Sequence, residues 1–193
     1  MKIAFITPFP PYRGGISKHS ENLYLELSKV ANLKVYNFLK QYPDILFPGK
    51  NQYLDASNIS NKYNMIRSIH STNPITWKNT AKDILESNFD TIIIRYWNPF
   101  FIPCYIYIIN YIKKRNRNIK IFSICDNIIP HEKFIFNKFF IKKFIKKLNG
   151  VIIMSKNVEK ELIKISPSIY YKKLFLPIVS DTTKSIKLFE NPN

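Results

Sequence analysis

Glycine is scarce in this sequence: four residues in 193, two of them adjacent at Gly14-Gly15. A dinucleotide fingerprint of the G-x-G-x-x-G type is therefore excluded, and the Walker phosphate-loop pattern is missing as well. Cysteine is rarer still. Cys104 and Cys125 lie far from any metal-ligand spacing, which argues against a zinc module or a disulfide framework. Their apolar surroundings predict two buried free thiols in a reducing cytosol. Acidic residues number 13 against 30 basic ones, giving a net charge of +17 and a pI near 9.8. Such an excess predicts an anionic partner: nucleic acid, an acidic membrane face or phosphorylated ligands. Only five of the basic residues are arginine (Arg13, Arg67, Arg95, Arg115 and Arg117). Nucleic-acid readers lean on arginine's planar fork, and no recognised nucleic-acid motif is present, so the charge points to a membrane surface instead. Long apolar runs are also lacking. The longest, from Pro99 to Ile112, is broken by prolines and falls short of the ~20 residues that span a bilayer. Met1-Lys2 leads straight into a strand without a signal-peptide cleavage pattern. The expectation is a soluble cytoplasmic protein able to sit on the inner face of the plasma membrane.

What the sequence does contain is a regular alternation of strand and helix signals. The apolar run at 2–7 reads as a buried strand. Residues 16–30 read as a helix with Ile16, Leu23, Leu27 and Val30 on its apolar face. A second strand is expected at 32–38, then a long polar loop over 39–61 with Pro43, Pro48 and Gly49. Residues 62–87 read as helix in two pieces broken at Asn73-Pro74. The isoleucine run in 89–97 is the signature of a strand covered on both faces. A helix follows over 99–114, opening on proline and closing on basic residues as the macrodipole favours. Strands at 118–125, 150–155 and 172–176 alternate with helices at 134–148 and 156–166. Strands separated by helices predict an α/β fold: a Rossmann-like open parallel sheet with helices on both faces. Residues 1–177 form the expected domain, and 178–193 read as a linker or truncated edge.

In such a sheet, ligands bind at the carboxyl ends of the strands, near the point where the strand order reverses. Four polar segments fall there: T-P-F-P-P-Y-R-G-G, R-Y-W-N-P, C-D-N-I-I-P-H-E and S-K-N. Gly14 and Gly15, beside Arg13, let backbone approach a ligand, and the helix they open presents unpaired amides to an anion. The same pair also suits a plain strand-to-helix turn. Asp126, Asn127, His131 and Glu132 could orient sugar hydroxyls or assist proton transfer, or simply build a turn about Pro130. Arg95 and Trp97 could hydrogen-bond and stack on a sugar, or pack. His19 and His70 read as solvated helix residues. Helix 134–148 alternates phenylalanines with Lys138, Lys142, Lys143, Lys146 and Lys147; a basic amphipathic helix of this kind can lie in a bilayer interface or pack its stripe on the sheet, and its wide apolar arc allows both together.

Four segments in order, P-P-Y-R-G-G-I-S, R-Y-W-N-P-F-F-I-P, C-D-N-I-I-P-H-E and V-I-I-M-S-K-N-V-E-K-E-L, together resemble the amino-terminal half of family-four glycosyltransferases. The resemblance runs from about Lys2 to Pro177. It implies one half of a GT-B fold, the acceptor side of a retaining enzyme. Such an enzyme moves a sugar from a nucleotide-sugar donor to a glycan or lipid-linked acceptor in cell-surface polysaccharide synthesis. No metal and no cofactor beyond the donor are implied. Asp126 and His131 would be the catalytic residues, with Arg13, Gly14, Gly15, Arg95, Trp97, Asn127, Glu132 and Ser155 binding substrate. Relatives commonly carry His-Asn where this chain has Asp126-Asn127. The donor pocket would lie in a second domain or partner chain, without which no turnover is expected. The alternative is a non-catalytic module holding a glycan or glycolipid at an acidic membrane surface.

Overall fold

The computed structural model describes residues 1–43, 63–128 and 137–174. Most of the expected 39–61 loop, His131, Glu132, the first residues of the 134–148 helix and the tail beyond 174 lie outside the described residues. Among the described residues, seven strands form one sheet: β1 (Lys2–Ile6), β2 (Asn32–Lys40), β3 (Met65–His70), β4 (Thr91–Tyr96), β5 (Lys120–Cys125), β6 (Gly150–Ile153) and β7 (Tyr171–Lys173). The helices are α1 (Gly15–Leu27), α2 (Pro74–Glu86), α3 (Ile102–Arg115), α4 (Asn137–Ile145) and α5 (Lys156–Ile165), with a 3₁₀ turn at Pro99–Phe101 leading into α3. All pairings are parallel, and the strand order is β3-β2-β1-β4-β5-β6-β7. The order reverses between β1 and β4, which is where a doubly wound sheet opens a crevice.

Strand alternation divides the core. Ala4, Ile6, Tyr36, Phe38, Ile92 and Ile94 face a large cluster with α2, α3, α4 and α5, which pack in sequence on that side. Phe5, Val35 and Ile124 face the other side, where α1 contributes Leu23 and Tyr24. The isoleucines of β4 serve both sides, as their unbroken run suggests. Cys104 and Cys125 are buried and free, and burial raises the Cys125 thiol to about 12.

Two expectations change. Residues 65–70 are an edge strand and not the first piece of a helix. Met65, Ile66 and Ile69 recur at helical intervals, but pairing with β2 prevails, and Arg67 secures it by donating to the carbonyls of Phe38 and Leu39 at 3.1 and 3.0 Å. His70 accordingly ends a strand. Second, α1 buries serines beside the expected Leu23: Ser17 and Ser20 are buried, whereas Val30 lies beyond the helix and is 78% exposed. The wide apolar arc expected for the 134–148 helix is divided between core and surface. Ile141, Phe144, Ile145 and Leu148 pack into the core, while Phe139 and Phe140 are 68% and 43% exposed. No helix among the described residues is long and apolar enough to cross a membrane.

Candidate active site

The carboxyl end of β1 is organised from the neighbouring strand. Asn37 of β2 is fully buried, and its amide spans the proline-rich loop: Oδ1 accepts from Phe9 N at 3.1 Å, and Nδ2 donates to the Phe9 and Pro10 carbonyls at 2.9 and 3.3 Å. Tyr12 then turns inward, 3% exposed. The chain next reaches Gly14, whose φ of 111° and ψ of 166° lie in a region essentially reserved for glycine. Thr7 and Ser20, both buried, share a 2.6 Å hydroxyl hydrogen bond that draws α1 down onto the end of β1. The small serine side chains permit that approach, which a leucine would block. The first turn of α1 has no side-chain cap, so its leading amides remain available to an anion. A Cβ added at Gly14 or Gly15 would meet no atom within 4 Å.

These two glycines separate by experiment. Gly14→Ala should destabilise the fold by about 1–3 kcal/mol through backbone strain alone. Gly15→Ala should leave stability unchanged or slightly raised, since alanine is the better helix former. Denaturant unfolding of both variants checks the pair; equal losses would show that the strain at Gly14 has been misplaced.

Across the switch point, β4 and β5 present a buried ion pair. Arg95 is 2% exposed. Its Nε donates to Asp126 Oδ2 at 2.8 Å and its Nη2 to Oδ1 at 2.5 Å, a bidentate fork with the carboxylate itself 16% exposed. The third direction of the guanidinium, Nη1, meets Nδ1 of His19 on α1. The Asp126 backbone is fixed as well, since its N–H donates to the Tyr96 carbonyl at 3.0 Å and the Tyr96 hydroxyl donates to the Ile128 carbonyl at 3.0 Å. Three elements thus converge on one cluster, His19–Arg95–Asp126. Beside it, an apolar groove of about 330 Å³ runs past His19 and Leu23 to Ile93, Ile124 and Ile152.

His19 reads from sequence as a solvated residue; the structure gives it a partner. Burial first, and then the Arg95 charge, hold its pKa below the ordinary 6.5, with Asp126 opposing. Neutral imidazole accepts from Arg95 through Nδ1, which places the ring proton on Nε2, whereas imidazolium would turn N–H against N–H. Between the lowered folded value and 6.5, the unfolded chain binds the extra proton, so stability rises with pH across that window. Stability is therefore lost as pH falls below 6.5 towards the folded value. His19→Gln should flatten this slope in denaturation series run from about pH 5 to 7. An unchanged slope would assign it to another group.

The other expected site residues separate by environment. Arg13, Gly14, Gly15 and Asn127 are exposed at the carboxyl edge. Arg95 faces Asp126 and His19, with its guanidinium engaged by both side chains. Trp97 packs edge-on to Phe38 at 5.7 Å and tilted on Phe101 at 4.3 Å, which turns it into the aromatic core. The Ser155 hydroxyl accepts from Val158 N at 3.2 Å as the N-cap of α5. His131 and Glu132 lie outside the described residues.

The sequence matches no family model and no curated protein. Among solved structures, the chain is similar to UDP-N-acetylglucosamine 2-epimerase from Rickettsia bellii, with TM-score 0.55 and 12% identity over 90% of this chain and 44% of that one. It is also similar to an alpha-glucosyltransferase in complex with UDP and a 13-mer DNA, with TM-score 0.52 and 13% identity over 89% of this chain and 40% of that one. The fold is GT-B-like. This chain spans less than half the length of either neighbour, which corresponds to one Rossmann-like half of such a fold.

Proposed function

We propose that this chain is the acceptor-side half of a retaining glycosyltransferase of the family-four kind, using a nucleotide-sugar donor. Residues 1–177 form the half-domain, and a second Rossmann-like domain or partner chain supplies the donor pocket. The observation that carries this reading is the coincidence of a GT-B-like half-fold with a constrained polar cluster at its switch point. The uncapped first turn of α1, with Arg13, Gly14 and Gly15, takes the donor phosphates. Asp126, held by both forks of Arg95, accepts a hydrogen bond from a sugar hydroxyl and fixes its orientation. In the transfer, the anomeric carbon leaves the donor phosphate oxygen and bonds to the acceptor hydroxyl oxygen, while the hydroxyl proton passes to the departing phosphate or to a base. His131 is the proposed proton carrier, and Asn127 and Glu132 the proposed hydroxyl contacts.

A second reading rests on a separate observation. On α4, Phe139 and Phe140 are exposed beside the exposed Lys138, Lys142 and Lys143. Aromatic side chains with lysines around them suit a vesicle surface containing acidic lipid. The acceptor would then be lipid-linked and the enzyme peripheral, or the chain would be a glycolipid-binding module without turnover.

The test compares two preparations for sugar transfer from UDP-glucose and UDP-N-acetylglucosamine. The isolated 193-residue chain is expected to be inactive. The protein taken from its own cell, with its second domain or partner, is expected to transfer sugar and to lose that activity on Asp126→Ala. Transfer by the isolated chain, or none by the native assembly, sinks the proposal. Co-sedimentation of an inactive native assembly with phosphatidylglycerol vesicles would favour the binding module.

A further inference from the structure

A second concavity lies on the same carboxyl edge, on the α2–α4 side of the sheet, with a volume of about 350 Å³. Ser71 and Thr72, which follow β3, and Pro99 and Phe100, which follow β4, form its sides; Trp77 of α2 and Phe140 of α4 complete the wall. The first turns of α2 and α4 and the 3₁₀ turn before α3 therefore meet around one hollow. The geometry points to a binding site for a neutral sugar ring.

Three observations carry this assignment. The walls carry three aromatic rings, those of Trp77, Phe100 and Phe140. Trp77 is held in place by its indole N–H, which donates to the His70 carbonyl at 2.7 Å, and Phe100 stacks on Tyr42 at 5.4 Å. Phe140 is 43% exposed, an unusual position for a phenylalanine beside a cavity that could have enclosed it. Aromatic faces attract the slightly positive C–H groups on the apolar face of a pyranose. The second observation is polar. Ser71 is 4% exposed, and its hydroxyl is buried with no hydrogen-bond partner among the described residues. An unpaired buried hydroxyl is costly and calls for a partner, which a ligand hydroxyl supplies. Third, none of the described residues lining the hollow is ionisable, so those residues match neither phosphate nor carboxylate. A volume of this size falls in the range of small-ligand pockets, about 300–1,000 Å³. A purely apolar occupant would leave Ser71 unsatisfied; a sugar uses both the rings and the hydroxyl.

Placing this ring in the acceptor rests on the glycosyltransferase reading above, whereas the binding site itself does not. The test uses the full 193-residue chain with ¹⁵N-labelled tryptophan. Its two indole N–H signals belong to Trp77 in the wall and Trp97 in the aromatic core. Methyl glycosides of glucose, N-acetylglucosamine, galactose and mannose are titrated in turn, with hexanol as the apolar probe. At least one glycoside should shift the Trp77 signal saturably. Phe140→Ala should weaken that binding by about tenfold or more, and Ser71→Ala by less. Ser71→Ala should not lower the unfolding midpoint, because the hydroxyl it removes has no partner to lose. The assignment is overturned if no glycoside shifts Trp77 saturably, if both variants bind as the parent does, or if hexanol alone binds. Glycoside binding alongside an inactive native assembly would sink the transferase reading and leave the sugar site standing. Transfer by the native assembly without glycoside binding would do the reverse.

Discussion

Arg95→Met should destabilise the protein by about 3 kcal/mol, the low end of the range for breaking a buried ion pair. The substitution keeps an unbranched apolar stem in a position that is 2% exposed, so little of the loss comes from packing. The cost comes from Asp126, which loses both forks of its guanidinium while retaining only 16% exposure. That residual contact with water is why the lower end of the range applies. In a chain of this size, each kcal/mol moves the thermal midpoint by roughly 2–4 °C. The double variant Arg95→Met/Asp126→Asn should recover much of the loss, because it removes the stranded charge along with its partner. A third readout concerns His19. Removing the Arg95 cation takes away one of the two causes that lower the imidazole pKa, so its titration should move upward in Arg95→Met. A stable Arg95→Met with an unmoved His19 would mean that the three side chains are not coupled.

That cluster also marks where the sequence stops being legible. β4 can be read from its isoleucines because a strand buried on both faces needs no alternation. The 99–114 helix can be read from its opening proline and basic end, and the glycine pair from its place between strand and helix. Arg95 and Asp126 are also visible, since Arg95 lies in the last residues of β4 and Asp126 directly follows β5. Their mutual bond is not, being set by the β4–β5 register, which pairs Arg95 with Ile124 and Tyr96 with Cys125. His19 is hidden more deeply: it lies 76 residues from Arg95 in the chain, on a helix whose rotation about the sheet is fixed by the Thr7–Ser20 contact. The only local hint is its place in the second turn of a helix that begins at the binding edge. β3 was ambiguous for a different reason. Six residues with apolar positions at 65, 66 and 69 satisfy helix and strand alike, and hydrogen bonds from Arg67 to β2 carry the decision. Trp97 and Ser155 have chemistry suited to a sugar, but packing and helix capping engage them first. The Ser71 hollow has no motif at all, because its residues come from α2, α4 and the ends of two strands.

Phe101→Ala should cost about 3–5 kcal/mol, the range for truncating a buried phenylalanine. The ring is fully buried where β2, β4 and the start of α3 meet, and five aromatic neighbours among the described residues surround it. Trp97 lies at 4.3 Å between ring centroids, Phe38, Tyr42 and Phe100 each at 5.2 Å, and Tyr105 at 6.3 Å. Edge-to-face pairs add to the burial term, and rigid rings collapse poorly into a vacated space, so relaxation should recover little of the loss. Phe101→Leu, which keeps a core filled by an aliphatic side chain, should lose about half as much. The effect reaches the candidate sugar site as well. Phe100, in the wall of the hollow, packs against both Phe101 and Tyr42, so the truncation frees a wall residue from its support. Glycoside binding should accordingly weaken in Phe101→Ala under conditions where the fold persists, while Phe101→Leu keeps more of it. Near-ultraviolet circular dichroism should lose intensity in step, since Trp97 leaves its fixed ring environment. A loss below about 1 kcal/mol on truncation would show that this aromatic cluster is not the packed junction its centroid distances describe.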